Sequence, residues 1–222
     1  MTQVDVRQRI LSDNAAAATT LRERFAASRT LVLNLVSSPG SGKTTLLEAT
    51  VRALAGRLRL GAIEGDIATE RDADRLRALG IPAHQILTGG SCHLDARQVR
   101  GALEAHDLGP LDVLFIENVG NLVCPTSYDL GEDFKVALLS VTEGEDKPFK
   151  YPSIFAKAEV TVVTKADLLP YVSFRLDDVR AQVAALRPAG TLLVTSATTG
   201  RGIGEWCALL EQRLAAKRAA GA

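Results

Sequence analysis

Several features of specialised protein classes are scarce or missing in this 222-residue sequence. It has three cysteines, an odd number that does not suit a disulfide framework. Its 26 Lys and Arg residues balance 26 Asp and Glu residues, so charge gives no reason to expect nucleic acid or an anionic membrane as a partner. No run approaches the ~18 apolar residues of a membrane span, and the first ten residues are too charged for a signal peptide. We therefore expect a cytoplasmic globular protein.

The chain divides into two parts by composition. Residues 1–29 are rich in alanine and contain no glycine or proline, which favours helix. We predict a helical N-terminal arm over residues 1–29 and one nucleotide-binding domain over residues 30–222. A hydrophobic content of 46% is near the globular average.

Short apolar runs alternate with helical stretches from residue 31 onward. The predicted strands are Leu31–Val36, Leu60–Glu64, Gln85–Thr88, Val113–Glu117, Val136–Val141, Val160–Thr164 and Leu192–Thr195. The predicted helices lie near residues 44–58, 70–79, 94–105, 173–187 and 203–217. Many of these strands are apolar at almost every position, as strands covered on both faces are. The pattern predicts an α/β fold: a doubly wound, mostly parallel sheet of about seven strands with helices on both faces.

The first predicted strand is followed by a glycine-rich loop and then a helix. The loop reads Ser37-Ser38-Pro39-Gly40-Ser41-Gly42-Lys43-Thr44-Thr45. Glycines allow the backbone to approach a phosphate closely, and amides at a helix N-terminus bind it. Lys43 would reach the β- and γ-phosphates, and the Thr44 hydroxyl would bind magnesium. The general pattern has glycine where this chain has Ser37.

Two later strands are followed by residues suited to a guanine base. Thr164-Lys165-Ala166-Asp167 follows one strand, and Ser196-Ala197 follows the last. The Asp167 carboxylate can accept hydrogen bonds from N1–H and the exocyclic amine of guanine, whereas adenine has no N1–H. The Ala197 amide would donate to guanine O6. Both segments are similar to GTPase motifs, except that Thr164 stands where asparagine is usual.

Two acidic residues end strands on the expected ligand side of the sheet. Asp66 follows the second strand, and Glu117 ends the fourth, three residues before Gly120. Either carboxylate could serve magnesium or the attacking water. There is no glutamine beside Gly120 and no evident arginine finger, so we expect slow intrinsic hydrolysis.

A second kind of chemistry is indicated by Cys92-His93 and Cys124. Two thiolates and an imidazole suit zinc or nickel. Three ligands leave the site one short, and either water or a second subunit related by a two-fold axis could complete it. Cys124 lies four residues beyond Gly120, where a γ-phosphate would be sensed, so it could respond to the nucleotide. Cys207 and Trp206, on an apolar helical stripe with Ile203 and Leu210, are predicted to be core residues.

With these residues assembled, the chain resembles the HypB family of hydrogenase nickel-incorporation GTPases, metallochaperones of the dimerising P-loop class. The resemblance covers roughly residues 30–215, and serine at position 37 is familiar in that family. Its most specific segments are Gly65-Asp66, Cys92-His93-Leu94-Asp95-Ala96, Glu117-Asn118-Val119-Gly120-Asn121-Leu122-Val123-Cys124-Pro125 and Thr142-Glu143-Gly144.

The resemblance implies a homodimer when GTP is bound, slow GTP hydrolysis, and nickel or zinc held at the dimer interface by Cys92, His93 and Cys124. It implies that Asp66 lies near magnesium and the hydrolytic water. It also implies that Lys150 reaches the partner's nucleotide. The expected partner is the nickel-binding accessory protein HypA. Because residues 1–30 contain no His or Cys, we expect no additional metal store there.

Three other functions remain open at this stage. A small-molecule P-loop kinase or ATPase with structural cysteines would transfer phosphate to an added acceptor, whereas a switch makes only GDP and phosphate. A urease-type nickel GTPase is disfavoured because its usual Cys-Pro-His motif is absent. A non-enzymatic nickel buffer is disfavoured because the sequence has only three histidines.

Overall fold

The computed structural model describes residues 3–67 and 70–220, without the side chains of residues 3–7. The strands are β1 (Leu31–Ser37), β2 (Leu60–Asp66), β3 (Ala83–Leu87), β4 (Val113–Glu117), β5 (Phe134–Ser140), β6 (Val160–Thr164) and β7 (Thr191–Val194). The helices are α1 (Gln3–Ala27), α2 (Lys43–Leu54), α3 (Arg71–Arg77), α4 (Ala96–Ala105), α5 (Lys147–Lys150), α6 (Pro152–Lys157), α7 (Leu176–Leu186) and α8 (Ile203–Ala220). Two short 3-10 helices cover Cys124–Ser127 and Ala166–Tyr171.

Within the described residues the strands form one parallel sheet in the order β3-β2-β4-β1-β5-β6-β7. The predicted α/β class and the predicted strands are confirmed, and each strand boundary agrees within two residues. Every residue of β1 is buried, as expected for a strand covered on both faces. The sequence analysis missed α5 and α6, which are only four and six residues long.

Residues of β1 face two helical layers in turn. Leu31, Leu33 and Leu35 pack with α2, α3 and α8 on one face of the sheet. Val32 packs with α1 and α4, and Val36 packs with α6 and α7, on the other face. This two-sided packing leaves only the strand ends open to a ligand.

The N-terminal helix packs against the sheet domain through one face. Ala17, Ala18, Leu21 and Phe25 are buried in the cluster that contains α4. Helix is present where the sequence predicts the N-terminal arm, and the domain boundary between residues 29 and 30 stays a prediction. No helix in residues 3–67 and 70–220 is both long and apolar enough to cross a membrane.

The apolar stripe of α8 belongs to the core, as predicted. Ile203, Trp206, Cys207 and Leu210 are all buried. The Trp206 indole donates to Thr50 Oγ1 on α2 at 2.9 Å, which satisfies its buried N–H. Cys207 is therefore a packing residue and is not part of the group formed by the predicted metal ligands.

Asp112 ties together three elements at the amino end of the sheet, and we expect Asp112→Asn to lower the free energy of unfolding by about 1–3 kcal/mol at pH 7. Its carboxylate accepts from the Arg59 amide at 2.7 Å and the Arg59 guanidinium at 2.8 Å, and it also pairs with Arg218 of α8. These contacts hold the pKa of Asp112 below its ordinary value.

A carboxylate whose pKa is lower in the folded state than in the unfolded state stabilises the fold. This stabilisation is complete above the pKa of the unfolded state, about 4, and is lost as pH falls through the pKa of the folded state. Denaturant unfolding should therefore show a constant difference between wild type and Asp112→Asn from pH 7 down to about pH 4, and a difference that shrinks as pH falls further. Asp74→Asn, which breaks an exposed pair with Arg77, should cost under about 1 kcal/mol at any pH. Equal losses in both variants would contradict the role given to Asp112.

Candidate functional site

The predicted site residues lie at the carboxyl edge of the parallel sheet. The loops after β1, β2, β4, β6 and β7 all open on this edge, where ligands of doubly wound sheets bind. The sequence prediction that these segments lie together is consistent with this topology. Two cavities and one thiol–imidazole cluster are found there.

The phosphate loop, residues 37–45, connects β1 to α2. Gly40 and Gly42 have φ of 72° and 95°, a backbone conformation that glycine adopts at little cost. Lys43 is buried and its Nζ donates to Ser37 Oγ at 3.0 Å. Ser41 also donates to the Ser37 hydroxyl. Serine at position 37 therefore supplies an acceptor that orients the lysine, which a glycine could not do.

The larger cavity, called the nucleotide cavity below, has a volume of about 480 Å³ and lies over the phosphate loop. Its lining includes Gly40, Gly42, Lys43, Thr44 and Thr45 from the loop, and Asp66, Glu117, Asn118 and Gly120 from the ends of β2 and β4. The Thr44 hydroxyl donates to Glu117 Oε1 at 3.1 Å, and Lys43 Nζ lies 3.8 Å from the same oxygen. The cavity thus places cationic, hydroxyl and carboxylate groups next to one another.

A second buried carboxylate, Glu64, was not identified from the sequence. Glu64 on β2 is the register partner of Glu117 on β4, and both are buried. Burial raises the pKa of Glu64 well above its usual range, and the neighbouring Glu117 charge raises it further. Burial also raises the pKa of Glu117, although Lys43 opposes this shift. A carboxylate within an otherwise apolar strand was the available sequence signal.

The oxygen-rich composition of the cavity fits a magnesium ion. Glu64 Oε1 and Glu117 Oε2 are buried without a hydrogen-bond partner among the described residues. Thr44 and Asp66, the magnesium ligands expected from the sequence, line the same cavity. Hydroxyl and carboxylate oxygens are the donors that Mg²⁺ prefers.

The smaller cavity adjoins the phosphate loop and has a volume of about 170 Å³. Thr164, Lys165, Asp167 and Ala197 line it, so the segments after β6 and β7 meet there. The Ser196 hydroxyl donates to Asp167 Oδ1 and orients the carboxylate. This arrangement presents an acceptor pair and a nearby backbone amide, as recognition of guanine requires.

The two residues before Ala166 attach this cavity to the phosphate loop. The Thr164 hydroxyl donates to the Ser41 carbonyl at 2.6 Å. Lys165, whose φ is 57°, donates from Nζ to the Gly40 carbonyl at 2.7 Å. Thr164, which stands where asparagine is usual, therefore makes a polar contact with the phosphate loop.

Cys92, His93 and Cys124 converge although the two cysteines are 32 positions apart. One donor atom from each side chain lies within 4.8 Å of the other two. Cys92 Sγ lies 3.6 Å from His93 Nδ1. The Cys124 thiol raises the pKa of Cys92, while burial lowers the pKa of His93. Two thiols and an imidazole at this separation form a compact donor set for a soft or borderline divalent metal.

The loop that contains Cys92 and His93, residues 88–95, is called the metal loop below. Asp95 ends it by capping α4 through the Gln98 amide at 2.9 Å. Asn121 donates to the Cys92 carbonyl at 3.2 Å. The rings of His93 and Tyr128 lie with their centroids 3.9 Å apart, which restricts the imidazole. Tyr128 was missed by sequence reasoning because nothing local to it indicates a metal.

The other two histidines and the candidate Lys150 lie apart from this donor set. His84 and His106 stack on each other with centroids 3.7 Å apart. Lys150 is exposed on α5 and pairs with Asp146, and it is not part of the lining of either cavity in its own chain. Lys147, which sequence reasoning did not single out, is closer to the loop, with Nζ 3.4 Å from Ser38 Oγ.

Comparisons with known proteins identify the family of this chain. Residues 31–194 match the family model described as CobW/HypB/UreG, nucleotide-binding domain. The hydrogenase maturation factor HypB of Escherichia coli K12 is 51% identical over 202 residues, which are 91% of this chain and 70% of that protein.

Two solved structures are similar over most of their length. The crystal structure of HypB from Helicobacter pylori in complex with nickel has a TM-score of 0.87 and 40% identity, and covers 91% of this chain and 95% of that one. The crystal structure of HypB from Archaeoglobus fulgidus has a TM-score of 0.86 and 36% identity, and covers 91% and 99%.

Proposed function

The chain belongs to the CobW/HypB/UreG family of nucleotide-binding proteins, and from this premise we propose that it is a GTP-hydrolysing nickel metallochaperone for hydrogenase maturation. GTP binding favours a homodimer, and the nucleotide state alters how tightly the metal is held. The observation that supports this proposal most directly is that Cys92, His93 and Cys124 converge beside the segment bordering the nucleotide cavity. The family match favours this switch over a small-molecule kinase.

The nucleotide phosphates bind the phosphate loop. Backbone amides of Gly40, Ser41 and Gly42 surround the phosphates, and Lys43 neutralises the β- and γ-phosphate charge. Thr44 and Asp66 hold Mg²⁺, which supplies charge compensation on the phosphates when it is bound. The buried Lys43 is already oriented by Ser37, so little side-chain freedom is lost on binding.

Guanine enters the smaller cavity. Asp167, oriented by Ser196, accepts from guanine N1–H and its exocyclic amine, and the Ala197 amide donates to O6. Lys165 forms part of the wall that joins this cavity to the phosphate loop. An adenine base would leave an acceptor of Asp167 unsatisfied, which disfavours ATP.

Hydrolysis is slow in the isolated protein. In this proposal the attacking water is served by Asp66 and Glu117, which both line the nucleotide cavity, and Glu117 also orients the Thr44 hydroxyl. The sequence has no glutamine beside Gly120 to position the water. A slow chemical step suits a switch because the GTP state then lasts long enough to act.

Nickel is the cargo, with zinc as the competing ion, since both accept two thiolates and an imidazole. Cys92 is exposed and Cys124 is half-buried, so a second copy of the site can approach them. In the GTP dimer the two donor sets face each other, and the exposed Lys150 extends toward the partner's nucleotide. The partner that exchanges nickel with this site is HypA.

A competition titration tests the coupling between the two sites. We expect nickel affinity in GDP–Mg²⁺ and in a non-hydrolysable GTP analogue with Mg²⁺ to differ about tenfold, because ligand coupling in proteins is typically 5- to 150-fold. The measurement uses a chromophoric chelator as the competitor and is repeated with zinc. By reciprocity, nickel should shift the affinity ratio of the two nucleotides by the same factor.

Each remaining outcome of this titration is informative. Equal nickel affinity in both nucleotide states would leave a GTPase with a static metal site and would contradict the coupled switch. Absence of nickel and zinc binding in either state would reduce the three ligands to structural residues and would overturn the metallochaperone proposal.

A further inference from the structure

Asn118 lies between the nucleotide cavity and the metal loop. It directly follows β4, is buried, and lines the nucleotide cavity beside Glu117. Two residues later, the chain touches the phosphate loop so closely that a Cβ on Gly120 would lie 2.9 Å from Pro39 Cα. The phosphate loop and the segment that contains Asn118 are therefore closely packed, so a shift of one can displace the other.

The side-chain amide of Asn118 has a partner on each side. Its Oδ1 accepts from the Leu94 amide of the metal loop and from the Val119 amide, each at 3.0 Å. Its Nδ2 donates to Asn34 Oδ1 at 3.2 Å, within the buried part of β1. The orientation of the Asn118 side chain is thus fixed. Its oxygen links Leu94, the residue after His93, to the end of β4.

Leu94 is held by a second contact from the nucleotide side. Its side chain is fully buried and occupies the space that a side chain on Gly65 would need, since a Cβ there would lie 2.7 Å from Leu94 Cγ. Gly65 precedes Asp66 and lines the nucleotide cavity. Leu94 is therefore positioned jointly by the ends of β2 and β4.

The far end of the metal loop is anchored to a different element. The Ala96 amide donates to Asn14 Oδ1 of α1 at 2.8 Å, and Asn14 also donates to the Asp129 carbonyl. Neither contact involves a residue of the nucleotide cavity. The metal loop thus has attachments to residues that line or border the nucleotide cavity, and, beside its C-terminal end, one attachment that does not involve that cavity.

We propose that Asn118 is the positioning residue that transmits the nucleotide state to Cys92 and His93, through its hydrogen bond with the Leu94 amide. When the γ-phosphate shifts the segment after β4, the bond makes Leu94 follow, and the preceding His93 moves relative to Cys124. This inference rests on the proposed function, and it names the bond through which the coupling of that site operates.

The test is the nickel titration in both nucleotide states, applied to wild-type protein and to Asn118→Ala. We expect the wild-type affinity ratio to be about tenfold, within the usual range of coupling, and the Asn118→Ala ratio to fall within twofold of unity. Asn118→Ala should change nickel affinity in the GDP state by a smaller factor than it changes the ratio of affinities between the two nucleotide states, since all three ligands remain. Reciprocally, nickel should no longer shift nucleotide affinity in this variant.

Asn14→Ala is the matched control. It also removes a buried side-chain acceptor from a backbone amide beside the metal loop, but on the side away from the nucleotide. We expect it to change nickel affinity equally in the two nucleotide states and to keep the wild-type ratio. A merely structural effect on the loop would act alike in both variants.

The outcomes separate this inference from the proposed function. A wild-type ratio of one overturns the coupled switch itself. A tenfold wild-type ratio that persists in Asn118→Ala overturns the role of Asn118 and leaves the switch intact. If Asn118→Ala does not fold, Asn118→Ser is used, because its hydroxyl is one bond shorter and too short to reach the Leu94 amide. Retention of the wild-type ratio in Asn118→Ser would likewise overturn the inference.

Discussion

Replacing Cys124 by serine should weaken nickel binding about a hundredfold or more, since losing even an outer-shell contact of a metal ligand costs 10- to 100-fold. Cys124 supplies one of the two thiolates in a three-residue donor set, and serine offers only a weakly acidic hydroxyl of similar size. The affinity is measured by competition with a chromophoric chelator. The loss should also remove absorption from thiolate-to-nickel charge transfer.

The third cysteine provides the control for this substitution. Cys207 is buried on α8 with Trp206, in a cluster with α2, and is not part of the Cys92–His93–Cys124 group. Cys207→Ala should leave nickel affinity unchanged within error while lowering the free energy of unfolding modestly. GDP affinity should be preserved in Cys124→Ser. Nickel binding by Cys124→Ser within threefold of wild type would contradict its place among the ligands.

That these segments share one edge of the sheet could be predicted, because it depends on local patterns. Each predicted strand is a short apolar run, and the polar site residues end that run or follow it closely in the sequence. Since parallel strands place their carboxyl ends at one edge, Lys43, Asp66, Glu117 and Asp167 were expected there before any contact was known. The fold class followed from the same alternation of strands and helices.

The contacts that organise the site could not be predicted, because they join residues far apart in the chain. The register that places Glu64 opposite Glu117 depends on which strands are neighbours. The two strands concerned, β2 and β4, are separated by 46 residues in the sequence. The ring contact between Tyr128 and His93 and the hydrogen bond from the Leu94 amide to Asn118 depend on tertiary packing in the same way. Local sequence holds no signal for either.

The contact made by Thr164 could be assigned only from the structure. The sequence showed only that asparagine was absent from a GTPase-like motif. The structure shows a hydroxyl donating to the Ser41 carbonyl, so this position secures the phosphate loop. Asp167, three residues later, lines the smaller cavity together with Thr164.

The choice of base should depend on Asp167, and Asp167→Asn should lower GDP affinity about a hundredfold or more. The carboxylate accepts two hydrogen bonds from guanine, and losing one charge-assisted bond costs about 1.5–3 kcal/mol. Asparagine keeps one oxygen that accepts from N1–H without the charge, and its NH2 group opposes the exocyclic amine. One bond is therefore lost and the other is weakened, at a total cost of about 3 kcal/mol, or two factors of ten in affinity. An asparagine amide instead matches xanthine, which has one donor and one acceptor at the same edge. Xanthosine diphosphate should therefore bind the variant more tightly than GDP does.

The measurement is a displacement titration of a fluorescent nucleotide by GDP, xanthosine diphosphate and ADP. Asp177→Asn, at an exposed position in the first turn of α7, removes the same charge without altering the cavity and should keep the wild-type order of affinities. Nickel affinity in the absence of nucleotide should be unchanged in Asp167→Asn, because the metal ligands lie on other loops. If Asp167→Asn still bound GDP more tightly than xanthosine diphosphate, a group other than Asp167 would select guanine. That result would contradict the assignment.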